Sequence, residues 1–97
     1  MIIRIVRMDF IEHEIQAFLE IFNNAKTQIK AFEGCEYLSL NRDITNENVF
    51  YTISHWKSEA HLEKYRNSEL FKRTWAMTKQ LFNEKPYAYS LEKFIEL

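Results

Sequence analysis

From Ile15 to Phe32 the apolar residues Ile15, Phe18, Leu19, Phe22, Ala25, Ile29 and Phe32 recur at offsets of 3, 4, 7, 10, 14 and 17. Glu12, Gln16, Glu20, Asn23, Lys26, Thr27 and Lys30 fill the opposite side. This spacing is one stripe along an α-helix over residues 12–32, and it fits no strand. On either side the period changes. Residues 1–10, MIIRIVRMDF, are β-branched and apolar in near-alternation, which predicts a strand. Gly34, just beyond the stripe, suits a C-terminal cap. A helix with one apolar face between two extended segments has to lie on a sheet.

The remaining elements follow the same logic. Residues 35–44 read as a strand, TNEN at 45–48 as a polar turn and 49–56 as a second strand, so the two strands form a hairpin. Ser58 can cap the next helix, with Glu59 favourable in its first turn. The helical region runs to about Phe82, but its stripe is interrupted. Phe71, Trp75, Thr78 and Phe82 share a face, whereas Leu62 and Tyr65 lie off it, so a break is expected at Asn67-Ser68. Pro86 should end the helical stretch, and residues 87–95 make a fourth strand. The order is β-α-β-β-α-β in one domain, 1–97. This is an α+β, ferredoxin-like arrangement, a four-stranded antiparallel sheet with two helical segments on one face.

Such a sheet should be polar on its uncovered side. Here both sides are apolar. Ile3 and Ile5, with Arg7, form the face of the first strand expected to meet the helices; Ile2, Val6, Met8 and Phe10, with Arg4, form the other. The third strand divides into Val49, Tyr51 and Ile53 against Phe50 and Trp56, and the fourth into Tyr87, Tyr89 and Leu91 against Ala88 and Phe94. A second copy of the chain is the simplest cover, which predicts a homodimer through the sheet face.

Composition narrows the chemistry. The 13 basic and 14 acidic residues give a net charge of −1 and form no basic block, so nucleic acid is not expected as a partner. Arg4 and Arg7 interrupt the apolar N-terminus, and no segment approaches the ~18 apolar residues of a membrane span; a soluble, cytoplasmic protein is expected. The single cysteine, Cys35, allows no intrachain disulfide or cysteine cluster and reads as a small buried residue. One glycine and one proline leave no phosphate-cradling loop. His13 and His61 should be solvated, His55 lies on the strand face opposite Trp56, and no histidine spacing suggests a metal site.

The stretch VFYTISHW running into KSEAHLEKYRNSELFKRTW resembles the antibiotic biosynthesis monooxygenase family of dimeric α/β barrels. The resemblance rests on Phe50, the strand-end Trp56, Ser58-Glu59, Ala60, Tyr65 and Phe71. It implies a pocket between helices and sheet in each subunit, and a cofactor-independent monooxygenase or quinol oxidase acting on a phenol- or quinol-type aromatic. The family's heme-degrading branch carries Trp and His where this chain has Tyr65 and Trp75, and Asn at about Arg7. An indole nitrogen only donates and cannot bind iron, so heme degradation is disfavoured. The broader family often has Glu and His at the positions of Ser54, Tyr65 and Leu70, so a non-catalytic small-ligand-binding or stress-response dimeric module of the same fold is the alternative.

The candidate pocket residues are therefore Arg7, Trp56, Tyr65, Leu70, Phe71 and Trp75, with no catalytic residue assigned and no cofactor or metal. Trp56 fits either a core plug over the sheet edge or a flat wall for a ring. Trp75 shares its face with Phe71 and Phe82 and can pack in the core, with an N–H that needs a partner once buried. Tyr65 could donate a hydrogen bond to a ligand oxygen. Arg7, expected on the helix-facing side of the first strand, could stabilise a phenolate.

Overall fold

The computed structural model describes all of residues 1–97. The elements are β1 (Ile2–Phe10), a 3-10 turn at Glu12–Glu14, α1 (Ile15–Lys30), β2 (Cys35–Arg42), β3 (Val49–Trp56), α2 (Glu59–Arg66), α3 (Glu69–Lys79) and β4 (Phe82–Glu92). The strands pair antiparallel in the order β2-β3-β1-β4, the ferredoxin-like β-α-β-β-α-β arrangement expected from the periodicities. No helix is long and apolar enough to cross a membrane.

The expected stripe on α1 buries Phe18, Ala25 and Ile29. Phe18 meets the sheet beside Met8, Phe10 and Phe50 in a cluster where Phe10 and Phe18 stack at 4.1 Å. This packing fixes the phase of β1, and it is the reverse of the one expected. Met8 and Phe10 are buried under the helices, so Ile2, Arg4 and Val6 share their side, while Ile3, Ile5 and Arg7 face away. The strand's largest side chains decide the matter, because Met8 and Phe10 bury more apolar surface than Ile3 and Ile5 can.

The break at Asn67-Ser68 separates α2 from α3 as expected. Asn67 closes α2, and the Ser68 hydroxyl accepts from Phe71 N at 3.1 Å to cap α3. The C-terminal boundary differs from expectation. α3 stops at Lys79, and β4 already begins at Phe82, which pairs with Phe10. Pro86 lies inside that strand instead of ending a helix. The β1–β4 register shifts between Arg7↔Tyr87 and Asp9↔Glu84, and this irregularity on an edge strand accommodates a residue without an N–H. β4 ends at Glu92, so Phe94 and Ile95 fall outside the sheet and are exposed.

β2 ends two residues earlier than expected because Asp43 builds the hairpin turn. Its carboxylate accepts from Thr45 N and Oγ1 at 2.8 Å and from Asn46 N at 2.9 Å. These bonds, the Thr45 backbone bond foremost, hold the Asp43 carboxyl below the usual carboxylate range. Gly34 is not the cap of α1, a role taken by Ala31. It turns the chain into β2 at φ 89°, and its carbonyl accepts from Lys57 N at 2.9 Å. A Cβ there would meet the His61 ring at 2.4 Å. His61 is consequently half-buried, not solvated, with Nδ1 2.7 Å from Ser58 Oγ.

Gly34→Ala should therefore cost about 2–4 kcal/mol, from left-handed backbone strain plus overpacking. In thermal melts the double variant Gly34→Ala/His61→Ala should lose less than the sum of the single losses. Additive losses would remove the contact as the cause.

Candidate functional site

A cavity of about 290 Å³ lies between the sheet and the three helices. Its size is roughly twice that of the ~150 Å³ apolar cavity known to admit benzene, enough for a compact ligand of one or two rings. The cavity is built around Trp56, the last residue of β3, which pairs across the sheet with Ile2 and Cys35 and has no exposed surface. A buried indole needs an acceptor. Ser54, two residues earlier and on the same strand face, supplies it: Trp56 Nε1 donates to Ser54 Oγ at 2.9 Å. Ser54 thus stands as the anchor of the tryptophan where the family often has Glu.

Tyr65 in the last turn of α2 stacks on Trp56, centroids 4.8 Å apart at 23°. Phe71 in the first turn of α3 meets Tyr65 edge-on at 5.2 Å and 77°, and stacks on Trp75 at 5.9 Å and 9°. The helix break makes this wall possible. Ser68 Oγ donates to the Tyr65 carbonyl at 2.6 Å while capping α3, so one hydroxyl ties the two helix ends that carry Tyr65 and Phe71. A continuous helix would have placed Tyr65 off the face shared by Phe71 and Trp75.

The polar end is cationic. Arg4 of β1 and Arg66 of α2 both line the cavity. Arg4 is half-buried; its Nη1 donates to Ser90 Oγ at 2.8 Å, and no carboxylate lies within ion-pair distance. Burial, and next the nearby Arg66 charge, lower the Arg4 pKa, with the Glu63 carboxylate acting in the opposite direction. Arg66 has only a 3.5 Å contact with Glu63, both exposed. No Asp, Glu or His lines the cavity. The Tyr65 hydroxyl has no hydrogen-bond partner in the protein, and burial pushes its pKa well above 10.0, so it is a neutral donor and not a base. This site can surround a ring and stabilise a negative oxygen, but it contains no carboxylate or imidazole to remove a proton.

Of the six residues singled out from sequence, Trp56, Tyr65, Phe71 and Trp75 line the cavity. Arg7 and Leu70 do not. The phase of β1 turns Arg7 to the opposite sheet face, where it lies between Tyr51 and Tyr87 in register and its charge helps lower the Asp43 pKa. Leu70, half-buried in the first turn of α3, precedes the cavity-lining Phe71. Arg4 and Arg66 were missed. Arg4 was findable, since the alternation Ile2, Val6, Met8, Phe10 is the longer apolar series on β1 and carries Arg4 with it.

The other reactive groups stand apart from the cavity. Cys35 is buried behind the wall with Trp56 and Leu62, where desolvation raises its pKa. His55 stacks on Tyr37 at 4.6 Å on the outer sheet face. No cluster of three His, Cys, Asp or Glu side chains could hold a metal ion. The position that carries the iron ligand in the heme-degrading branch holds Trp75, whose indole nitrogen only donates.

Residues 1–76 match the antibiotic biosynthesis monooxygenase family, and the chain belongs to it. Solved structures share the fold across nearly the whole chain. A conserved protein from Methanosarcina mazei superposes with a TM-score of 0.91 at 18% identity, covering 96% of this chain and 93% of its own. A structure described as an antibiotic biosynthesis monooxygenase gives 0.92 at 16% identity, covering 98% and 100%. A Pseudomonas aeruginosa protein gives 0.85 at 21% identity, covering 97% and 94%. No curated protein matches the sequence significantly.

The raised Tyr65 pKa has a measurable sign. Above its ordinary value of 10.0 the unfolded phenol releases its proton while the folded one keeps it, so Tyr65 makes stability fall as pH rises beyond about 10. Denaturant titrations at pH 9, 10 and 11 should therefore show a shallower alkaline loss for Tyr65→Phe than for the parent protein. Parallel curves would mean that the phenol is not desolvated.

Proposed function

We propose that this protein is a cytoplasmic, cofactor-independent monooxygenase or quinol oxidase acting on a small phenol- or quinol-type aromatic. One observation carries the reading: the stacked Trp56–Tyr65 pair and the Arg4–Arg66 cations border the same 290 Å³ cavity. The wall holds a ring in a desolvated slot, the arginines favour its oxyanion, and Tyr65 donates to a substrate oxygen. With no base in the cavity, the substrate proton goes to solvent and the arginines make that ionisation easier. The bound anion then reacts with dioxygen. As an oxidase, a quinol gives two electrons and two protons to O₂, forming quinone and hydrogen peroxide. As a monooxygenase, a ring CH₂ activated by the phenolate becomes C=O, and the second oxygen atom leaves as water.

The absence of Asp, Glu and His from the cavity also supports a second reading, a module of the same fold that binds such a ligand without turning it over. Oxygen uptake with 1,4-naphthohydroquinone decides between them. The enzyme reading expects uptake above the uncatalysed rate, and Tyr65→Phe should reduce it at least tenfold, as the loss of one oxyanion donor typically does, with little change in melting temperature. Uptake at the background rate with retained binding would select the module. A large stability loss with unchanged turnover would return Tyr65 to a packing role.

We also propose a homodimer through the outer sheet face. Tyr37, Tyr87, Tyr89 and Leu91 remain 43–53% exposed there, beside Ile3, Ile5 and Ile53. Native mass spectrometry should give about twice 11.8 kDa. A monomer at micromolar concentration would leave that face without its cover and sink the proposal.

A further inference from the structure

The polar end of the cavity has more cationic capacity than a phenol uses. Arg4 and Arg66 come from different elements, a central strand and the last turn of a helix, and converge on one cavity with no anion in its lining. A guanidinium has five N–H donors. The only protein partner of the Arg4 side chain is the neutral Ser90 hydroxyl at 2.8 Å. Arg66 is only loosely engaged by Glu63 at 3.5 Å. Arg4 has no ion pair of its own, and the one carboxylate charge it feels, that of Glu63, is shared with Arg66, so two arginines face one carboxylate and a bound anion would supply the second negative charge. Apart from the two arginines the lining is apolar, aromatic or a neutral hydroxyl, so the only charge it offers a ligand is positive and lies at this end.

We propose that the ligand is an aryl carboxylate, its ring against the Trp56–Tyr65 wall and its carboxylate held between Arg4 and Arg66. The proposal rests on reading the cavity as an aromatic-binding site and names the chemistry of its polar end. A carboxylate suits the geometry better than a phenolate. Its two oxygens match the planar fork of a guanidinium, and they can be shared between two arginines, whereas a phenolate offers one oxygen. The ring hydroxyl that undergoes oxidation is then a separate group, free to meet Tyr65. Anchoring at the arginines would set which ring position lies beside that hydroxyl. The simpler account, in which Arg4 only covers apolar surface with its stem and sends its head group to water, predicts no preference for an acid.

Trp56 and Trp75 both line the cavity, so binding can be followed by quenching of intrinsic fluorescence without turnover. The probes are 2-naphthoate and its neutral isostere 2-naphthamide, at neutral pH and low salt. The acid should bind at least about tenfold more tightly than the amide, as charge-assisted hydrogen bonds exceed neutral ones. Arg4→Gln should weaken binding of the acid much more than that of the amide and so remove the preference, and Arg66→Gln, at an exposed residue that does not endanger folding, should reduce it. Equal affinity for acid and amide in the parent protein would overturn the carboxylate assignment while leaving the aromatic site intact. Binding of neither probe would remove the aromatic site as well. Variants that weaken both probes alike would give the arginines a structural role and also overturn the assignment.

Discussion

The alternation of β1 decides where everything else goes. This strand lies between β3 and β4, so its two faces become the two faces of the whole sheet. Burying Met8 and Phe10 against α1 commits Ile2, Arg4 and Val6 to the helix side and Ile3, Ile5 and Arg7 to the other. A slip by one residue would exchange these sets and move the cation out of the cavity. The chemistry of the site is thereby tied to core packing several residues away.

The aromatic wall depends on a second, smaller constraint, a helix that stops and restarts. Ser68 serves both halves, donating to the carbonyl of Tyr65 and accepting from the amide of Phe71. Together with the Trp56–Ser54 bond, two serine hydroxyls thus hold one ring directly and the backbone that carries the other two. These contacts hold together Trp56, Tyr65 and Phe71, three of the residues on which the family resemblance rests, through two serines that did not themselves carry it.

The fold was legible because its signals are long. The seven-residue stripe of α1, the hairpin around a polar turn and the phase change at Asn67-Ser68 each span several residues and agree with one another. What was misjudged depended on contacts the periodicity does not encode. Pro86 looked like a terminator, yet it is tolerated at a register shift on an edge strand. Both faces of β1 were apolar, and the shorter series of Ile3 and Ile5 was set against the helices in place of the longer one ending at Phe10, so Arg7 was selected in place of Arg4. Arg66 had no sequence signal of its own, being a charged residue in a helix rich in charges. Four aromatic or apolar members of the site were readable as a group because they share local spacing; its two cations come together only through tertiary packing.

The irregularity at Pro86 also bears on how sheets of different molecules could meet. β4 is an outer strand, and an outer strand normally presents a row of amides and carbonyls to any extended chain that approaches. Here the strand carries a proline, which has no amide hydrogen, where its register shifts, with the charged Glu84 and Lys85 immediately before it. Growth of the sheet by strand addition along this border is thus discouraged. A single proline therefore works against open-ended growth of the sheet in its own plane.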